Sequence, residues 1–247
     1  SSFALYLYII INSIDIPNYS MKRVVISDLH IGSWNSREKE LIDFLQTVEC
    51  DELILAGDII DFIKVPTFTK RSAELFKIID NFPHKVVYVI GNHDISFRGL
   101  VGKSVFGVYF TRRYDFKDGK RKYRIIHGDQ YEKGIIHWKY VINMLSIAQD
   151  FIERLFSFDL ASFFHDKMFR KRKLRNLSDI IQWNEEVDVL IMGHNHTPEA
   201  LIWVNEESKI KTYVNCGDWV EHSSYVTIED DVIRLKSWAS ESRESKT

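Results

Sequence analysis

The sequence predicts an α/β fold: parallel strands joined by helices, followed by a second sheet of closely spaced strands. Three observations carry this. Four runs, Arg23 to Ser27, Glu52 to Ala56, Lys85 to Ile90 and Asp188 to Met192, are β-branched and apolar nearly throughout, as strands covered on both faces are. Helical patterning over residues 37–48 and 70–81 separates the first three, which is the spacing of βαβ units. Beyond Met192 the segments EALIWVN, IKTYVNC, SSYVTIE and VIRLKSWA alternate and follow one another closely, predicting a largely antiparallel second sheet.

A chain of 247 residues with 45% hydrophobic and 28% charged residues can bury the core of one generous domain. A formal charge of -2 and a pI near 6.5 leave no basic footprint for nucleic acid, which is not expected as a partner. Cys50 and Cys216 are too few for a disulfide framework and are not spaced as a metal pair, so a reducing, cytoplasmic setting and core positions are expected. The apolar start, Phe3 to Ile11, is shorter than the roughly 20 residues of a membrane span and lacks the basic flank of a signal peptide. The domain is therefore expected to begin at Met21, with residues 1–20 an extension, native or foreign to the chain. A membrane-surface or edge-strand segment is the rival reading.

One block departs from the strand rhythm. Residues 133–184 are helical in pattern and contain the densest basic run, Lys167 to Arg175. Two readings stay open for that run: a solvated helix face, or a cap that recognises an anionic ligand. Residues 240–247 form a polar tail.

The strand ends carry the chemistry. ISDLHIG puts Asp28 and His30 past the first strand, LAGDIID puts Asp58 past the second, and VIGNHDI puts Asn92, His93 and Asp94 past the third. IIHGD adds His127, and IMGHNH adds His194 and His196. In open α/β sheets the loops at these ends converge on the ligand crevice. Each of these residues alone is ordinary. Together they crowd carboxylates and imidazoles into one crevice, which is costly unless they are paired or metal-bound. Oxygen and nitrogen donors without thiolate suit Mn, Fe or Zn in a hydrolytic site. They outnumber what one ion needs, so two divalent ions are expected.

The ordered set DLH, GD, GNHD, HGD and GHNH resembles the calcineurin-like metallophosphoesterase superfamily, from Lys22 to Ala239. The resemblance implies a four-layer α/β/β/α sandwich of two mixed sheets over residues 21–239, with a helical cap insertion at about 133–184. It also implies a dinuclear centre. Carried over by position, Asp28, His30 and His196 hold one ion, Asn92, His127 and His194 the other, and Asp58 bridges them. The two histidines of GHNH then serve one ion each. Manganese is the favoured metal, with iron or zinc as alternatives. Such a pair of ions acidifies water and binds phosphoryl oxygens, so hydrolysis of a phosphoester or phosphoanhydride is the implied reaction. His93, which is not a ligand, is the candidate to protonate the leaving oxygen. Asp94 is expected to orient its ring, or to cap a helix, and Asn195 to face the substrate.

The insertion after HGD, the segment GHNHTPEA and the late YVNCGDWVE together resemble the UDP-2,3-diacylglucosamine diphosphatase branch, which cleaves a diphosphate in bacterial lipid A synthesis. That branch caps its site with inserted helices that receive acyl chains. It implies a phosphorylated small-molecule or lipid-linked substrate, an anionic headgroup met by Arg170, Lys171 and Arg172, and peripheral membrane contact through the insertion. His93 stands where members of the branch commonly carry arginine, and the segment QYEKG also differs. A phosphodiesterase or nuclease, and a non-catalytic scaffold, therefore stay beside this reading.

Overall fold

The computed structural model describes residues 21–62, 66–131, 179–182 and 184–238. The expected N-terminal extension, the polar tail and nearly all of the insertion, with Arg170, Lys171 and Arg172, lie outside the described residues. The described chain runs β1 (Arg23–Ile26), α1 (Glu38–Thr47), β2 (Glu52–Ala56), α2 (Lys70–Asp80) and β3 (Lys85–Val89), then a 3-10 helix, Ile95–Leu100. It continues through β4 (Ser104–Val105), β5 (Val108–Thr111), β6 (Tyr114–Asp118), β7 (Arg121–Ile125) and β8 (Val189–Met192). The strands β9 (Glu199–Val204), β10 (Ile210–Asn215), β11 (Ser224–Glu229) and β12 (Val232–Ser237) complete it. Among the described residues no helix is long and apolar enough to cross a membrane.

Two mixed sheets result, in the orders β12-β11-β1-β2-β3-β5-β4 and β6-β7-β8-β10-β9. In the first, β1, β2, β3 and β5 are parallel, with Val24 opposite Leu53 and Leu55 opposite Tyr88. In the second, β8 lies parallel between β7 and β10. The expected antiparallel second sheet is corrected here. Only β9 and β10 of the four late strands join it; β11 pairs antiparallel with β1, setting Val24 opposite Thr227, and β12 follows at the edge of the first sheet. Alternation reports which faces of a strand are covered and does not name its neighbours.

Burial explains the layers. Val25, Ile54 and Val87 from the first sheet meet Ile125, Val189, Ile191 and Val214 from the second in one core between the sheets. Leu41, Phe44 and Leu45 of α1 and Leu75 and Ile79 of α2 cover the outer face of the first sheet. Leu190 and Tyr213 on the outer face of the second pack with Ile180, from the helical residues 179–182 where the insertion returns. The α2 start is fixed by a capping box: Thr69 Oγ1 accepts from Ser72 N, and Ser72 Oγ accepts from Thr69 N. Glu38 of α1 ties the two helices together, accepting from Thr69 Oγ1 at 2.9 Å and Ser72 Oγ at 2.6 Å. This frame brings the C-terminal ends of β1, β2, β3, β7 and β8 to one edge of the sandwich.

Candidate metal centre

The turns that follow β1, β2 and β8 fold in an uncommon way. Asp28, His30, Asp58, His194 and His196 have φ of 55, 47, 53, 69 and 56°, the left-handed region that costs a residue with a Cβ about 1 kcal/mol or more. Cross-strand bonds hold them there: Asp28 N donates to Gly57 O and His30 N to Asp58 O, each at 3.0 Å. The sheets also approach too closely for a side chain at two points. A Cβ on Gly57 would strike the His127 ring, and one on Gly193 would strike Ser27 Oγ and the Asp28 carboxylate. Strained turns of this kind concentrate where side chains must be aimed.

The side chains gather into two halves. In one, His196 Nε2 lies 3.2 Å and His30 Nε2 3.9 Å from Asp28 Oδ1, and the two imidazole nitrogens are 3.3 Å apart. In the other, His127 Nε2 is 3.0 Å from Asp58 Oδ2 and 3.3 Å from His194 Nδ1. His127 Nδ1 faces Ala56 O at 3.0 Å, so this nitrogen donates and Nε2 is left as the donor to a metal. Asn92 lies on the same loop as His93, whose N donates to Asp58 Oδ1 at 2.8 Å. Two buried acceptors, Asp28 Oδ1 and Asn92 Oδ1, have no hydrogen-bond donor among the described residues. Buried oxygens without donors, facing imidazole nitrogens that crowd one another, fit a bound cation.

The sequence profile of the calcineurin-like phosphoesterase superfamily domain matches residues 21–231. The chain belongs to that superfamily. No curated protein matched it. Among solved structures it is similar to the phosphoesterase Yfce from E. coli, at 16% identity over 89% of this chain and 94% of that one, with a TM-score of 0.48. A conserved uncharacterised protein of Streptococcus pneumoniae, described as a predicted phosphoesterase, shares 16% identity over 89% and 91% with a TM-score of 0.42. Vacuolar protein sorting 29 of Cryptosporidium parvum shares 13% identity over 88% and 96% with a TM-score of 0.47.

Metal dependence is a property of the superfamily, and the Asp28–His30–His196 and Asp58–His127–His194 clusters are donor sets that could meet it. A third cluster joins His30, Asp61 and His93. Here His93 Nδ1 is only 2.7 Å from Asp61 Oδ1, a direct hydrogen bond that leaves no room for an ion between them. His93 Nε2 points instead toward Asp58 Oδ2, 3.8 Å away, and its side chain is 24% exposed where that of His127 is 1%.

The expected role of Asp94 is corrected by its contacts. Its Oδ1 accepts from Gly91 N at 2.5 Å, and its Oδ2 from Ile59 N at 2.9 Å and Tyr88 OH at 2.7 Å. It braces the loops after β2 and β3, while Asp61 holds the His93 ring. Nor does Asp94 cap the 3-10 helix that follows it with its side chain. Asn195 sits half-buried on the turn between His194 and His196, its N donating to Gly193 O at 2.8 Å. Asp218, not anticipated, lies behind His196: its Oδ2 is 3.4 Å from His196 Nδ1 and 3.2 Å from His222 Nδ1. Its Oδ1 accepts from the N of Val220, Glu221 and His222.

Charge in the cluster is strongly coupled. Burial works against a charged His127, yet the carboxylates of Asp58 and Asp28 outweigh it and lift the ring to about 10. Burial likewise opposes charge on His196, which Asp28 and Asp218 raise well above the ordinary histidine value. His30 falls to about 4 through burial and the neighbouring His93 and His196. Burial would raise Asp58, but His127 and then His93 hold it well below the usual carboxylate range. The carboxylates thus draw positive charge into the cluster, carried by protons that a cation would displace.

Proposed function

We propose that this chain is a dinuclear metal-dependent phosphoesterase acting on a diphosphate linked to a nucleotide, of the UDP-2,3-diacylglucosamine type. The observation that carries the reading is the pairing of two donor clusters with a histidine between them that is bonded to a carboxylate. Asp28, His30 and His196 would hold one ion and Asn92, His127 and His194 the other, with Asp58 reaching both. Manganese is the favoured metal. Such ions supply positive charge to the phosphoryl oxygens and make a bound water more acidic.

The chain's own part follows from geometry. Asp61 accepts from His93 Nδ1, which aims Nε2 at the centre and stabilises the protonated ring. As water oxygen bonds to phosphorus, the bond from phosphorus to the leaving oxygen breaks. That oxygen keeps the electron pair and takes the proton from His93 Nε2. The proton lost by the water restores His93. Asp94 keeps the two loops in register through Ile59 N and Gly91 N.

The substrate class rests on sequence: GHNHTPEA, YVNCGDWVE and the insertion after HGD resemble the diphosphatase branch. On this reading Arg170, Lys171 and Arg172 meet an anionic headgroup or membrane surface, and Asn195 faces the substrate. The test is hydrolysis of UDP-2,3-diacylglucosamine set against nucleoside diphosphates and bis-p-nitrophenyl phosphate, with Mn²⁺ supplied. Preference for the lipid-linked diphosphate supports the reading. Preference for the diester moves the chain to the phosphodiesterase reading, and inactivity on all three defeats the enzyme.

A further inference from the structure

Among the described residues the two sheets end in four edge strands, and three of these are blunted against pairing with another chain. β12 carries Arg234 and Lys236, β6 carries Asp115, Lys117 and Asp118, and β4 has only two residues. Charge and shortness are the usual protection of an edge whose backbone groups are open. The fourth edge, β9, is six residues long, EALIWV, and has no charge after Glu199. Its Leu201, Ile202 and Val204 are 41, 73 and 64% exposed. A long apolar edge of this kind is a template for another strand.

Both faces of β9 are apolar. Val204 stands opposite Ile210 and Ile202 opposite Thr212, in the row that Val214 continues into the core between the sheets. Ile210 is 61% exposed as well, so Ile202, Val204 and Ile210 extend the inner face of the second sheet beyond the cover of the first. On the outer face Trp203 packs with Leu190 and Tyr213, and Leu201, two residues before it, is exposed. An occupant must therefore offer backbone and apolar side chains in both directions, as a strand does. The strand β9 itself meets that description. A two-fold axis normal to the sheet keeps each face on its own side, so a residue of one copy pairs only with one an even number of positions along in the other. Centred on Ile202, this sets Ala200 against Val204, Leu201 against Trp203 and Ile202 against its own copy, with Glu199 opposite Asn205 at the ends. A centre at Leu201 would put Glu199 against Trp203, and one at Trp203 would put Glu206 against Ala200.

We infer that β9 is an interface between two copies of this chain, which pair antiparallel about Ile202 and join their five-stranded sheets into one of ten strands. The contact is closed and two-fold, the same strand serving on both sides. This register lays the turn between β9 and β10 of one copy, with Glu206, beside Pro198 of the other, two residues from His196. Each metal centre then borders the other copy. The interface is independent of the reaction proposed above, so its test needs no turnover.

Sedimentation equilibrium of the full chain should give twice the 29.1 kDa of one copy. Ile202→Lys/Val204→Lys sets like charges across the axis and should raise the dimer Kd about a hundredfold or more, while far-UV circular dichroism stays that of the parent, since both residues are exposed. A short bis-maleimide should link two copies of an Ile202→Cys chain about tenfold or more faster than two copies of Phe106→Cys, because pairing holds the thiols at high effective concentration. Phe106 is 81% exposed beside β4, away from β9, and the native Cys50 and Cys216 are buried. A parent that sediments as one copy overturns the inference; if Ile202→Cys in that single copy also resists maleimide, the edge is covered from within the chain. A dimer that keeps its affinity in the double lysine variant overturns it as well. Where that variant loses its fold, the linkage decides, and equal rates for Ile202→Cys and Phe106→Cys remove the interface.

Discussion

The two halves of the centre use similar donors but are backed differently. His196 is steadied by a buried carboxylate, Asp218, which is itself tied down by three backbone N–H groups. His127 is steadied by a backbone carbonyl, Ala56 O. A carboxylate adds charge as well as direction, making its imidazole a more basic ligand; a carbonyl adds direction alone and belongs to the β2 ladder. The first half can therefore be tuned by side-chain substitution. The second is fixed by the fold.

The largest expected effect removes the distinction altogether. Asp58→Ala should empty both halves, because Asp58 is proposed to reach both ions; elemental analysis that still finds two ions per chain would defeat the bridging assignment. Next comes His93→Ala, which belongs to neither half. It should keep its metal and lose about 10²- to 10⁴-fold in rate, as for a missing general acid, and metal loss with full activity per bound ion would refute the role. Asp61→Asn should cost less, about 10- to 100-fold as for other orienting partners, and its signature is a pH shift. Burial lowers His93 and the Asp61 hydrogen bond raises it, so removing that charge lets the ring lose its proton at lower pH. The alkaline limb of kcat/KM should then move down in pH; an unmoved limb would separate Asp61 from the proton transfer.

The comparison itself is sharpened by Asp218→Asn, the smallest change. It should weaken one ion about 10- to 100-fold and leave the other, visible as one shifted step in a two-step metal titration. Equal weakening of both steps would show that the halves are not independent.

Much of this was legible because the chemistry is local. DLH, GNHD and GHNH each sit within one turn, so a strand's end and its side chains can be read together, and the helices fall at Glu38–Thr47 and Lys70–Asp80 as expected. The supporting residues were harder to read. Asp61 lies inside GDIID, where Asp58 already accounts for the motif, and Asp218 is 22 residues beyond His196 in sequence but 3.4 Å away in space. Asp94 misled through adjacency: it follows His93 in sequence yet turns toward Ile59, Tyr88 and Gly91. Strands β4 to β6 are short and were not read: β4 has two residues, β5 is only VYFT, and β6, YDFKD, alternates with charge at an edge, where charge discourages stray pairing.

The left-handed turns have a consequence for how such a protein changes over generations. Five proposed ligands hold backbone angles that glycine or asparagine would adopt with less strain, so drift toward a sturdier fold and selection for a working centre pull on the same positions in opposite directions. A descendant that gave up its metals would be free to relax there first. Substitutions at Asp28, His30, Asp58, His194 and His196 toward such residues would then mark the point in a lineage where catalysis ceased to be maintained.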